Sequence, residues 1–182
     1  IDYDEENELI YLSVNFYNEI WVIDHSTTIE EAANSSGGNY GVGGDLVYRF
    51  GNSTAYQSNE SIIFSKNHHP NLIKDQNILG FGNMLVFSNG GTDTNNISTI
   101  MEISLPVSDY PTMTPPQVVW SFSNEELYSR IISGAERGLN NNTYIAEGDY
   151  GVWEVTPSGE VAWKFDFGGT WRAYVYYHGE PE

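Results

Sequence analysis

Asp45-Leu46-Val47-Tyr48-Arg49-Phe50, Gln117-Val118-Val119-Trp120-Ser121-Phe122 and Glu160-Val161-Ala162-Trp163-Lys164-Phe165 are three versions of one ending. In each, an aliphatic pair leads into an aromatic residue, one spacer and a phenylalanine, the alternation of a strand with one apolar face. Upstream of each stands a pair of runs rich in β-branched and aromatic residues: Leu9 to Val14 with Glu19 to Asp24, Met84 to Ser88 with Thr99 to Leu105, and Thr143 to Glu147 with Gly151 to Thr156. A unit of roughly 40 residues is too small to bury a core alone and is stable only when stacked on its neighbours. The pattern therefore predicts an all-β fold: a single partial β-propeller domain over 1–182, with blades at about 1–51, 61–123 and 130–167 and an extra strand at 170–177. Such a chain cannot close the usual ring of about four to eight blades, so either a homo-oligomer or a missing N-terminal half is expected to cover its open edge.

Between the strands the residues read as turns and loops. Asn15-Phe16-Tyr17-Asn18 turns the first pair, Thr28 to Ala33 suits one helical turn, and Ser35 to Gly44 is a small-residue insertion without the spacing of a phosphate loop. The second unit opens at Ser61-Ile62-Ile63-Phe64 and passes through Lys66-Asn67-His68-His69-Pro70-Asn71-Leu72-Ile73. Tyr110 to Pro116 holds three prolines and is expected to be an extended surface loop, because proline has no amide hydrogen for a ladder.

Composition narrows the function classes. Twenty-five acidic residues against seven basic ones give a net charge of -18, which repels nucleic acid and anionic membrane surfaces. No apolar run approaches the roughly 20 residues needed to span a bilayer, so no membrane span is expected. There is no cysteine, which removes disulfides, thiolate metal sites and cysteine nucleophiles together. The acidic runs Asp2 to Glu6 and Asp93 to Asn96 lack the spaced ligands and glycine of a calcium loop and read as solvated surface. No dinucleotide fingerprint, phosphate loop, serine elbow or HExxH is present, so no cofactor is expected. Asn-x-Ser/Thr sequons at Asn34, Asn52, Asn59, Asn96 and Asn141 are candidate glycosylation sites.

Longer stretches carry a resemblance. Glu19 to Thr28, Gly43 to Asn52, Asn83 to Gly90, Ile132 to Arg137 with Asn142-Thr143, and Trp171-Arg172-Ala173-Tyr174 resemble, in order, segments of the arylsulfotransferase-like propeller family of bacteria. The resemblance implies the C-terminal half of a six-bladed propeller, in a periplasmic or extracellular setting. It also implies an activity: transfer of a sulfuryl group from an aryl sulfate to a phenol through a sulfated histidine.

Such chemistry needs an unprotonated nucleophile in line with the leaving phenolate and cationic donors around the sulfuryl oxygens. On the resemblance, His68 takes the nucleophile's place and Arg137 and Arg172 are candidate sulfuryl-binding residues, with Lys66 a further source of charge. His69, next to it on an extended segment, is expected to point the opposite way. His25 sits at a strand end and reads as a turn residue. The resemblance also places Asn15 where active members carry an arginine, and Asn71 where they carry another histidine. The alternative to an enzyme is a noncatalytic extracellular scaffold that assembles through its open sheet edges.

Overall fold

The computed structural model describes residues 1–56, 62–90, 96–111 and 114–177. Strands β1 (Asp2–Asp4), β2 (Leu9–Val14), β3 (Glu19–Asp24) and β4 (Tyr48–Phe50) form one antiparallel sheet. Strands β5 (Asn67–Leu72), β6 (Met84–Ser88), β7 (Thr99–Ser104) and β8 (Gln117–Ser123) form a second, and β9 (Gly134–Arg137), β10 (Thr143–Glu147), β11 (Gly151–Val155) and β12 (Val161–Asp166) a third. In every sheet each strand lies beside its sequence neighbour, so the repeat seen in the residues is a repeat of four-stranded meanders. Among the described residues no sheet closes on itself. The single-turn helix α1 (Ile29–Ala32) is set by a capping box between Thr28 and Glu31.

The sheets pack face to face in chain order. Tyr11, Val22 and Phe50 of the first meet Met84, Val86 and Ile103 of the second in one buried cluster. Leu85, Phe87 and Ile100 on the opposite face of the second sheet meet Ile145, Trp153 and Val155 of the third in another. Strand β6 serves both seams and is buried at every position, which is why Met84-Leu85-Val86-Phe87 is continuously apolar and does not alternate. Full burial stabilises a side chain such as Phe87 by about 1.5–3 kcal/mol. The leading strands also touch, β1 against β5 and β5 against β9.

The second seam contains an ion pair. Arg137 Nη2 donates to Glu102 Oε2 at 2.7 Å, with both side chains almost fully enclosed. The remaining Arg137 donors reach Thr143 Oγ1 and the Leu79 carbonyl, and the guanidinium lies 5.3 Å from the centre of the Trp120 ring. All three nitrogens of the cation are thereby engaged within the seam.

Within the Lys66–Ile73 stretch Asn67–Leu72 forms β5, whose ladder accommodates Pro70 at a bulge between His68 and Asn71. One expectation needs correction: the terminal segment expected as a strand at 170–177 forms no ladder among the described residues. The Asn59 sequon, the Ser61 start of the second unit and Asp93-Thr94-Asn95 lie outside the described residues.

Candidate functional site

Backbone and amide geometry at one end of the sheets sets the position of His68. Lys66 adopts a left-handed conformation (φ 54°), and its amide donates to Asn18 Oδ1 at 2.7 Å, tying the start of β5 to the β2–β3 turn. Asn18 is itself left-handed (φ 57°), a conformation asparagine tolerates well. Asn67, fully buried, donates through Nδ2 to Ser13 Oγ and to the Glu19 carbonyl. These bonds fasten β5 to the first sheet and leave the next side chain, His68, half-buried at the rim of a cleft of about 440 Å³. Asn15, Phe16, Asn18, Lys66, Arg130 and Ile131 line the rest of it.

Asn89 decides which nitrogen of His68 carries the proton. Its Nδ2 donates to the Ser129 and Ile132 carbonyls at 2.8 and 3.0 Å, so its amide cannot be turned around without losing both bonds. Its Oδ1 then faces His68 Nδ1 at 2.6 Å, and the Lys66 carbonyl lies 3.1 Å from the same nitrogen. Two acceptors at one ring nitrogen require a donor there. The neutral imidazole therefore carries its hydrogen on Nδ1 and leaves the lone pair on Nε2. Asn15 Nδ2 also approaches Nδ1, at 3.4 Å, a distance and polarity that make it the weakest of the three neighbours.

The candidate cations fall in different places. Arg137 belongs to the seam with Glu102, near the opposite end of the sheets, and is not brought to His68. Arg172 donates through Nη1 to the Ser133 and Trp171 carbonyls, and its charge acts on His69. Lys66 does line the His68 cleft, joined there by Arg130, which no local sequence signal distinguishes from a surface arginine. Asn71 is half-buried on β5 beyond the bulge, and exposed His25 packs its ring edge-on to Tyr3 at 5.0 Å.

His69 departs from the extended geometry expected of it. Its φ of 52° places it in the left-handed region at the bulge, with its ring against Gly134 of β9. Its Nδ1 is enclosed without a hydrogen-bond partner. Burial first, then the charges of Arg172 and the Ile1 amino group, hold its imidazole down to about 4. A larger cleft of about 610 Å³ lies elsewhere, lined by Asp4, Glu5, Glu6, Lys74 and neighbours, with no histidine and three carboxylates against one ammonium. Among the described residues, no group of three or more His, Asp or Glu side chains is placed to hold a metal ion.

Of the sequons, Asn34 and Asn96 are exposed. Asn52 and Asn141 are half-buried, with their side chains bonded to the Tyr17 carbonyl and the Leu79 amide. Among the described residues no helix is long and apolar enough to cross a membrane. No family model, no curated protein and no solved structure matches the chain.

Proposed function

We propose that the three meanders are consecutive blades of a β-propeller, and that the chain carries the sulfuryl-transfer site of an extracellular or periplasmic arylsulfotransferase-like protein. The observation that carries this reading is the Asn89 lock on His68, which turns the lone pair of the neutral ring to Nε2, beside a cleft holding Lys66 and Arg130. In the first step Nε2 attacks the sulfur of an aryl sulfate, an N–S bond forms, and the S–O bond to the phenolate breaks. An acceptor phenol, losing its proton to solvent as it attacks, then takes the sulfuryl group as the N–S bond breaks and frees the imidazole, while the phenolate released in the first step takes a proton from solvent. Lys66 and Arg130 supply the positive charge for the sulfuryl oxygens, and Arg130 lines the same cleft as Asn15, where the resembling enzymes carry an arginine.

The test is intact mass of the protein after exposure to p-nitrophenyl sulfate, with phenolate release followed by colour. Gain of one sulfuryl group, lost in His68→Ala and reduced in Asn89→Leu with a changed pH profile, is the expected result. Absence of both adduct and phenolate overturns it. A second reading, the noncatalytic scaffold, is favoured by the exposed aromatic side chains of β12, Trp163 and Phe165, and would leave the mass unchanged.

A further inference from the structure

The repeat allows each sheet to be compared with the next. Tyr48 and Phe50 on β4 are 3% and 0% exposed beneath the second sheet, and Phe122 on β8 is 6% exposed beneath the third. Their counterparts on β12, Trp163 and Phe165, are 48% and 52% exposed. The registers show that this is the same face. Phe50 pairs across to Ile20, Phe122 to Ile100 and Phe165 to Val152, each on the side that a following sheet covers.

The segment 172–177 supplies the second observation. Arg172 Nη1 donates to the Ser133 carbonyl, the Val175 amide donates to the Glu136 carboxylate, and the Leu139 amide donates to the Tyr177 hydroxyl. The segment therefore runs beside β9 in the same direction, as β9 runs beside β5 with Gly134 against His69. Its exposure alternates: Tyr174 and Tyr176 stand out to solvent, while Ala173, Val175 and Tyr177 are half-buried. It holds the place and the period of a leading strand without a partner strand.

We propose that residues 172–177 are the leading strand of a fourth sheet, completed by a three-stranded antiparallel meander that lacks a leading strand of its own and lays its apolar face on Trp163 and Phe165. The occupant is a three-stranded segment outside residues 1–182 and not a second copy of this chain. All three meanders of a second copy already have their leading strands paired, as β1 with β2, β5 with β6 and β9 with β10. Main-chain pairing of this kind is strand addition, in which the ladder gives affinity and the alternate side chains give specificity. The inference rests on the repeat of sheets and not on the chemistry of His68.

The experiment extends the full chain at its C-terminus, through a flexible linker, with a copy of residues 143–167, the meander whose Trp153 packs on Phe122 in the second seam. Amide exchange is followed at 173–177 in the extended and unextended proteins. Protection gained at these amides on extension, and lost again on Trp163→Glu with Phe165→Glu, is the expected result. Unchanged rapid exchange at 173–177 overturns the proposal. So does an unextended chain that sediments as a dimer with these amides already protected, which would make a second copy the occupant. A chain that forms no sulfuryl adduct leaves both arms of this test unaffected.

Discussion

The two ends of the stacked sheets use opposite chemistry to hold one charged or titratable group in place. At the end marked by the β2–β3 turn, neutral amides do the holding: Asn67 fastens β5, and Asn89 fixes His68. Toward the other end a buried guanidinium and carboxylate, Arg137 and Glu102, close the second seam directly. The amide end orients a ring whose second nitrogen stays available, whereas at the ionic end each guanidinium nitrogen is engaged internally. Position in the fold, and not residue type, separates an arginine that can meet a ligand from one that cannot.

The ionic end should give the largest effect. Arg137→Leu leaves Glu102 enclosed without its cation, and loss of about 3–5 kcal/mol of unfolding free energy is expected by denaturant titration. A loss below about 1 kcal/mol would show that the seam does not depend on the pair. At the amide end, Arg130→Gln should leave the denaturation midpoint in place while lowering the rate of phenolate release by about 10²–10³-fold. Equal rates in the two proteins would remove Arg130 from the site.

His69 sharpens the comparison through pH. Its folded-state value lies below the roughly 6.5 of a free imidazole, so its contribution to stability is complete above that pH. The contribution is lost as pH falls from there toward about 4, where the folded ring itself protonates. His69→Asn keeps a side chain that tolerates the left-handed backbone and should flatten the stability profile over this window relative to the parent. Parallel profiles would show that the ring is solvated. The smallest change is expected for Thr143→Val, which removes one acceptor from Arg137 Nε and should cost about 1 kcal/mol while the Glu102 pair persists.

Much of the fold was legible because the middle and final strands either alternate or, in β6, form a continuous apolar run. Leu9 to Val14, Glu19 to Asp24 and Thr143 to Glu147 match the observed strands, and the three repeated endings mark β4, β8 and β12. The leading strands were not legible, and the reason is their crowding against one another. Gly134-Ala135-Glu136-Arg137 is too short and small to show a period, and Asn67 to Leu72 hides a bulged strand behind two histidines and a proline. At the site, His68 was marked by resemblance. Asn89 lies in a resembling segment, Asn83 to Gly90, but its role depends on carbonyls at Ser129 and Ile132, about 40 residues away in sequence, a separation local patterns do not span. Arg130 became a candidate only when the turn before β9 was placed beside β5.

The Asn89 amide also has a mechanical consequence. One planar group joins the imidazole on one side to the backbone link between the second and third sheets on the other. Any hinge-like opening between those sheets must then rotate the amide or break its bonds, and either event frees the His68 ring to exchange tautomers. The histidine thus acts as a gauge of how tightly the two sheets are closed. Heating should abolish its fixed tautomer, read from imidazole nitrogen chemical shifts, at a temperature below that of global melting.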